Sequence, residues 1–153
     1  MRTIQKIHLA ESVPFEGLRT SSPLQSPNTS PIDPFILLNH HGPQFYEPNN
    51  KGLPFGPHPH RGMETVTFII DGDLSHKDST GNDSNIKSGG VQWMTAGSGV
   101  IHAEVSSEEF KRKGGNLEIL QLWLNLPAKL RMAKPLYKGL QRDDIPSVSE
   151  DNE

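Results

Sequence analysis

Residues 58–72 read HPHRGMETVTFIIDG, a pair of histidines followed by a β-branched run. His58 and His60 are spaced i, i+2, and this spacing puts both side chains on one face of a β-strand. The run from residue 64 to residue 70 is rich in Thr, Val and Ile and is therefore typical of a strand. The stretch thus predicts β-structure that presents two imidazoles side by side.

A second pair with the same spacing closes the segment 91–104, which reads VQWMTAGSGVIHAE. If the strand that carries His102 and Glu104 lies beside the first, three imidazoles and one carboxylate meet at one point. Such a set of donors suits a mononuclear transition metal. Each pair alone also has an ordinary explanation, as loop histidines beside prolines or as exposed polar residues. Glu64 shares the strand parity of the first pair, so spacing alone leaves it as a fifth candidate ligand.

Length and composition bound the class of protein. The chain has 153 residues, which is enough for one domain with a hydrophobic core. A net charge of -3 gives no electrostatic reason to expect nucleic acid or an anionic membrane as a partner. The absence of cysteine excludes disulfides and thiolate metal sites. The 14 glycines and 13 prolines favour many short strands, as in a sandwich or barrel. No stretch reaches the apolar length of a signal peptide or a membrane span, so we expect a cytoplasmic protein.

Apolar and β-branched runs predict strands, whereas Gly/Pro-rich or polar segments predict loops. The turn at 71–73 is expected to close a hairpin whose return strand is 74–78. The longest apolar run, 117–126, is expected to be a strand buried on both faces. Further strands are predicted at 4–9, 34–39, 91–95 and 100–105, and loops at 20–34, 42–57 and 106–115.

The remaining histidines and the tryptophans are weaker candidates for a site. His40 and His41 are adjacent, so at most one of them could face the site from a strand, and a loop is the favoured placement. His76 lies in the polar segment LSHKDST and is expected at the surface. Trp93 and Trp123 are expected in the core, where one of them could line a pocket.

The segments HPHRGMETV and QWMTAGSGVIHAE, together with LQLWLNLP at 120–127, resemble the pirin family of the cupin superfamily. The resemblance extends from about Pro34 to Leu140. It implies an all-β fold, a cupin-type antiparallel β-barrel or jelly roll that holds one metal. It further implies a single pirin-like N-terminal cupin domain over residues 1–140, followed by an acidic tail or linker at 141–153.

The resemblance also implies a ligand set. Iron, as Fe(2+), would be held by His58, His60, His102 and Glu104, and Glu64 would lie behind these ligands rather than bind the metal. Because the donors are imidazoles and a carboxylate without sulfur, Mn, Co, Ni or Zn would also suit them.

The function that the resemblance implies is metal-dependent dioxygenase chemistry of the quercetin 2,3-dioxygenase type. The substrates would be a small aromatic molecule such as a flavonol and O2, with Glu104 as the candidate catalytic base. Two alternatives stay open. One is a non-enzymatic iron- and redox-sensing interaction protein of the coregulator kind, and the other is an inactive, truncated pirin.

The chain departs from the family in length, because pirins typically have two cupin-like domains in nearly twice this number of residues. We therefore expect either a truncated form or a natural single-domain variant that lacks the second cupin domain. Either form would expose an interdomain face, which we expect a second subunit or a protein partner to cover.

Overall fold

The computed structural model describes residues 3–4, 7–24 and 32–148, and it is built almost entirely from β-strands. One short helix, α1 (Glu108–Lys113), and two 3-10 turns, Ala128–Leu130 and Arg142–Asp144, complete the described chain. The strands are β1 (Glu11–Ser12), β2 (Thr20–Ser22), β3 (Phe35–Tyr46), β4 (Phe55–His60), β5 (Met63–Asp71), β6 (Asp73–Asp78), β7 (Asp83–Lys87), β8 (Val91–Thr95), β9 (Val100–Val105), β10 (Gly115–Asn125) and β11 (Leu136–Leu140).

The strands form two antiparallel sheets. The larger sheet has the order β1-β2-β3-β10-β5-β8-β11, and the smaller sheet has the order β4-β9-β6-β7. The predicted all-β architecture is therefore confirmed. In the described ranges, no helix is both long enough and apolar enough to span a bilayer.

The predicted hairpin at residues 71–73 is wrong, although both of its strands exist. β5 pairs with β10 and β8 in the larger sheet, whereas β6 pairs with β7 and β9 in the smaller one. The turn at Gly72 thus carries the chain from one sheet to the other. Gly72 has φ +85, and a Cβ there would lie 2.9 Å from the carbonyl oxygen of Asn116. A turn signal in the sequence marks a change of direction and does not say which strand becomes the partner.

The segment 106–115 contains a helix where a loop was predicted. Ser107 caps α1, because its hydroxyl accepts a hydrogen bond from the Phe110 amide at 3.0 Å. Two acidic residues occupy the first turn and three basic residues the last, which suits the helix dipole. The signal was present in the sequence, but six residues are too few to show helical periodicity.

Other boundaries also shift. The described part of 4–9 is not a strand, and the first strand lies at β1 instead. β2 lies inside the predicted loop 20–34, of which residues 25–31 fall outside the described residues. β3 and β4 both extend into the predicted loop 42–57.

β10 is not buried on both faces as predicted, since Leu117, Ile119 and Gln121 are buried and the residues between them are partly exposed. At the far end of the chain, Gln141 donates to the Asn85 carbonyl at 2.8 Å, so the first residue of the predicted tail contacts β7. The acidic residues 149–153 lie outside the described residues.

The inward positions of several strands change from apolar to polar along their length. On β10, Leu117 and Ile119 are followed by Gln121, and on β6, Leu74 is followed by His76. The apolar ends form one core cluster, and the polar ends share a separate layer of the interior. The cluster contains Leu18, Leu53, Ile69, Leu74, Ile86, Phe110, Leu117 and Ile119.

The sheet crossing at Gly72 can be tested by substitution. We expect Gly72→Ala to lower the free energy of unfolding more than Gly81→Ala does. Both glycines have positive φ, a conformation that costs other residues roughly 1–2 kcal/mol. Only Gly72 also has backbone within contact distance of the new methyl group, whereas a Cβ at Gly81 would meet nothing within 4 Å.

Urea denaturation of the two variants measures the difference. Equal losses for Gly72→Ala and Gly81→Ala would show that close packing at the crossing does not matter.

Candidate metal centre

Three histidines converge between β4 and β9. His58 stands directly opposite His102 in the strand pairing, and His60 lies on the same side of β4 as His58. Their ring centroids are 4.5 to 4.9 Å apart. One ring nitrogen from each lies within 4.8 Å of the others, an arrangement that could hold a metal ion. The strands that carry the two pairs are neighbours, and the cluster contains the three histidines of the predicted set.

Hydrogen bonds behind the rings select the nitrogen that faces the centre. The Nδ1 of His58 lies 2.7 Å from the carbonyl oxygen of Gly56, which can only accept. This Nδ1 therefore carries the proton, and the Nε2 of His58 points towards His102. The two Nε2 atoms are 3.1 Å apart. Metal-binding histidines commonly have their second nitrogen held in this way.

His76 is buried behind His102, so its predicted surface position is wrong. The Nε2 of His76 donates to Oδ2 of Asp78 at 3.0 Å, and its Nδ1 lies 3.4 Å from the Nδ1 of His102. Burial alone would raise the pKa of Asp78. Hydrogen bonds from His76, Asn82 and Thr80 outweigh this effect and lower that pKa, which keeps the carboxylate charged.

This chain of contacts sets the tautomer of His102. Because the Nε2–H of His76 donates to the carboxylate of Asp78, the Nδ1 of His76 can accept a hydrogen bond, and the Nδ1–H of His102 donates to it. The Nε2 of His102 is then left with a lone pair directed at His58. Nothing in the sequence indicated this arrangement. The i, i+2 spacing of His76 and Asp78 on β6 does not show which strand lies beside them.

Burial keeps the imidazoles of His60 and His102 neutral. Burial first, and then repulsion from neighbouring histidines, lowers the pKa of His102 to about 3 and that of His60 to about 4. The unprotonated Nε2 of His102 therefore lies 3.1 Å from the Nε2 of His58 and cannot donate a hydrogen bond to it. A cation between these nitrogens would satisfy both, so the donor set fits a transition metal.

Glu104 is fully buried beside the histidines, and its Oε2 lies 3.9 Å from the Nε2 of His102. Burial raises the pKa of Glu104, and hydrogen bonds from two amides oppose this rise. Gln121 donates to Oε2 at 2.9 Å, and Gln92 donates to Oε1. The Thr67 hydroxyl lies 3.4 Å from Oε1.

Both amides are held so that they can only donate to Glu104. The indole N–H of Trp123 donates to the Gln121 oxygen at 3.1 Å, and the Tyr137 hydroxyl donates to the Gln92 oxygen at 3.3 Å. Because these oxygens are occupied by donors, each NH2 group must point at the carboxylate.

Strand register explains why these residues meet. Gln121 pairs with Thr67, and Thr67 pairs with Gln92, so the three side chains form one row across β10, β5 and β8. Sequence reasoning missed all three. The only sequence signal was their inward parity on each strand, since register between strands cannot be read from one strand.

Comparison with known proteins agrees with this geometry. The family model described as Pirin matches residues 17–124.

The chain belongs to the pirin family.

Relatives share the fold over most of this chain. The crystal structure of quercetin 2,3-dioxygenase from Acinetobacter baumannii is 46% identical, with a TM-score of 0.71 over 77% of this chain and 41% of its own. That of GK1651 from Geobacillus kaustophilus is 36% identical, with a TM-score of 0.78 over 97% of this chain and 55% of its own. A pirin-like protein of Caulobacter vibrioides is 39% identical over 135 residues, 88% of this chain and 47% of its own.

These matches establish the cupin fold and place the chain at the N-terminal cupin domain of a pirin. The chain spans about half the length of the relatives that it matches.

In this pirin domain, Glu64 does not face the histidines, contrary to strand parity. Its Oε1 accepts from the Thr95 hydroxyl at 2.6 Å, and its Oε2 accepts from the Trp93 indole at 3.2 Å. The parity count failed because β4 ends at His60 and β5 begins at Met63 in the other sheet. The two residues between them break the alternation.

His40 and His41 lie on β3 rather than in the predicted loop, and they face opposite sides of the sheet. His40 contacts Glu118 at 2.8 Å, and His41 is buried. Trp93 is nearly half exposed, contrary to its predicted core position, whereas Trp123 packs edge-on against His60 with ring centroids 5.0 Å apart.

The contact from His76 to His102 predicts an effect on metal affinity. We expect His76→Phe to weaken Ni²⁺ or Fe²⁺ binding by about 10-fold to 100-fold, a loss typical of removing the partner of a metal-binding histidine. Phenylalanine keeps a ring against Tyr137, on which His76 stacks at 4.0 Å, but it has no nitrogen for His102. His76→Asn, which places an amide oxygen near the position of Nδ1, should recover part of the affinity.

Titration against a competing chelator measures these affinities, and the Co²⁺ absorption spectrum reports ligand geometry independently. His40→Phe is the matched control, since it removes a histidine–carboxylate contact outside the site. Unchanged affinity and spectrum in His76→Phe would rule out a positioning role for His76.

Proposed function

We propose that this chain is a metal-dependent dioxygenase domain of the quercetin 2,3-dioxygenase type. The observation that carries the proposal is the convergence of His58, His60 and His102 beside a buried Glu104. His58 and Glu104 also line a cavity of about 320 Å³ whose walls include the rings of Phe55 and Trp123. Ligand sites commonly combine an apolar cavity of this size with a few convergent polar groups.

Four residues would hold the metal: the three histidines and Glu104. Fe(II) is the proposed ion because of the family resemblance, and Mn, Co, Ni and Zn suit the same donors. The cluster of mutually close ligand atoms contains the three histidines, and Glu104 would join it as the fourth ligand from a position in which its Oε2 lies 3.9 Å from the Nε2 of His102. When bound, the metal would supply Lewis acidity and a place for dioxygen.

The proposed substrate is a flavonol, whose heterocycle would be cleaved by O2 with loss of carbon monoxide. Glu104 would accept the proton of the 3-hydroxyl group at a carboxylate oxygen. In the protein without a metal, burial raises the pKa of Glu104, which favours proton uptake by this carboxylate. Phe55 and Trp123 would pack against the aromatic rings and exclude water.

Turnover of quercetin by the reconstituted protein tests the proposal. We expect oxygen-dependent quercetin loss and carbon monoxide release with at least one of Fe²⁺, Mn²⁺, Co²⁺ or Ni²⁺, above a free-metal control. Glu104→Gln should lower kcat by about 100-fold or more at saturating metal, since it keeps the side-chain shape and removes the base together with the charged fourth ligand. Glu118→Gln, a carboxylate on β10 that contacts His40, should have no effect.

The alternatives predict different results. Metal binding near one equivalent without turnover would favour a non-enzymatic iron-sensing protein, and partner capture should then depend on the oxidation state of iron. Failure to bind any of these metals would contradict the metal site itself.

We also propose that a second copy of this chain covers the outer face of the larger sheet. This face carries several large apolar side chains that are exposed to solvent, and apolar residues gathered on one face mark a candidate interaction site. Glu64 and Lys138 lie on the same face, so two copies related by a twofold axis can bring opposite charges together. The exposed apolar residues on this face are Ile36, Phe68, Ile70, Trp93 and Leu136.

Sedimentation velocity measures this association. We expect wild-type protein to self-associate at micromolar concentration and Phe68→Lys to remain monomeric, because a buried unpaired charge is costly. Ile101→Lys changes an apolar residue on β9, in the other sheet, that is more exposed than Phe68, and should leave association unchanged. A monomeric wild-type protein would contradict the proposal.

A further inference from the structure

Two buried polar atoms in the cavity beside the metal centre have no hydrogen-bond partner. They are Oδ1 of Asn39 and Nε2 of His41. Asn39 and His41 are two residues apart on β3 and face the interior, and both line the same cavity as His58 and Glu104. An adjoining cavity of about 220 Å³ is lined by the same two residues together with Phe15 and Phe55.

The missing partners stand out because neighbouring polar groups are paired. Asn39 lies directly opposite Gln121 in the strand register, at the level of the row that binds Glu104. Gln121, Thr67 and Gln92 each have a hydrogen bond, whereas the Asn39 oxygen has none. A buried polar atom left without a partner typically costs about 1–3 kcal/mol, so a fold keeps one only for a reason.

The contacts of His41 indicate which kind of group would bind it. Its Nδ1 lies 2.8 Å from the Thr20 hydroxyl, and that hydroxyl in turn donates to the Leu18 carbonyl at 3.5 Å. When the Thr20 hydroxyl donates to Leu18, the Nδ1 of His41 carries the proton and donates to Thr20, which leaves Nε2 as an acceptor. Burial, and then the neighbouring His40, lowers the pKa of His41 to about 4, so the ring is neutral.

Both unpaired atoms are thus acceptors, and the group that satisfies them must donate. The surrounding walls are aromatic: the rings of Phe15 and Phe55 stack at 5.8 Å, and Phe55 packs on His41 at 5.3 Å. A phenolic hydroxyl group joins a donor to a flat apolar ring and matches both features. Phe55 is half-buried and packs on His41, so a ligand that contacts Nε2 would have to displace this ring.

We propose that Asn39 and His41 form a hydroxyl-recognition subsite that selects polyhydroxylated aromatic ligands over their unsubstituted analogues. The inference rests on the proposed flavonol function, because the ligand would bind the metal at one end and this subsite at the other. Selection follows from the acceptors: an analogue without the hydroxyl leaves them unpaired in the complex, which weakens its binding.

Binding to the Zn²⁺-loaded full chain tests the subsite without turnover. Calorimetry compares quercetin with 3-hydroxyflavone, which has the same chelating hydroxyl and carbonyl but no other hydroxyl group. We expect wild-type protein to bind quercetin at least about 10-fold more tightly. The double variant Asn39→Leu/His41→Phe should lose this preference and keep its affinity for 3-hydroxyflavone.

His40→Phe is the matched control, since it changes the neighbouring histidine on the outer face of β3 and should keep the preference. The double variant removes two unpaired buried polar atoms but also the hydrogen bond between His41 and Thr20, so its unfolding temperature is measured beside the binding data and should stay well above the temperature of the binding experiment. This readout separates loss of recognition from loss of folding.

The outcomes distinguish the two proposals. An equal preference for quercetin in wild-type protein and the double variant would overturn the subsite while leaving flavonol binding intact. Failure of wild-type protein to bind 3-hydroxyflavone would contradict the flavonol function and would therefore overturn the subsite proposal as well.

Discussion

A carboxylate buried inside a β-barrel is the constraint on which the rest of this structure depends. Glu104 cannot be left in a dry interior without partners, because an unpaired buried charge is costly. Part of the interior is therefore polar rather than apolar. Gln92, Gln121 and Thr67 form hydrogen bonds to Glu104, and His102 lies beside it. The same layer leaves a group of buried acceptors and imidazoles that a metal and a polar ligand can use.

The two sheets contribute different parts of the site. The smaller sheet supplies all three converging histidines, Glu104 and the His76–Asp78 pair behind His102. The larger sheet supplies the amides that orient Glu104, and its edge strand β11 supplies Tyr137, which stacks on His76 and bonds to Gln92. Tyr137 thus contacts His76, which supports His102, and Gln92, which binds Glu104. The geometry of the site therefore depends on how the two sheets face each other.

The alternation of side chains within one strand held for the histidine pairs, whereas expectations that carried over from one strand to the next failed for Glu64 and His76. The i, i+2 pairs placed His58 with His60 and His102 with Glu104, because side chains alternate along any strand. Parity failed for Glu64, because the chain changes sheets between His60 and Met63. The prediction for His76 failed for a related reason. Its polar neighbours in sequence suggested an exposed position, but its neighbours on the adjacent strand β9, Glu104 and His102, are buried.

By itself, the sequence determined the all-β class, the histidine pairs and the resemblance to pirins, since each depends on residue type and short-range spacing. Only the tertiary structure decided the strand partners, and with them the row that holds Glu104, the His76–Asp78 support of His102 and the unpaired acceptors of Asn39 and His41. The physical reason is register. Which residues meet across neighbouring strands depends on pairings between distant segments, and no local pattern in one strand encodes them.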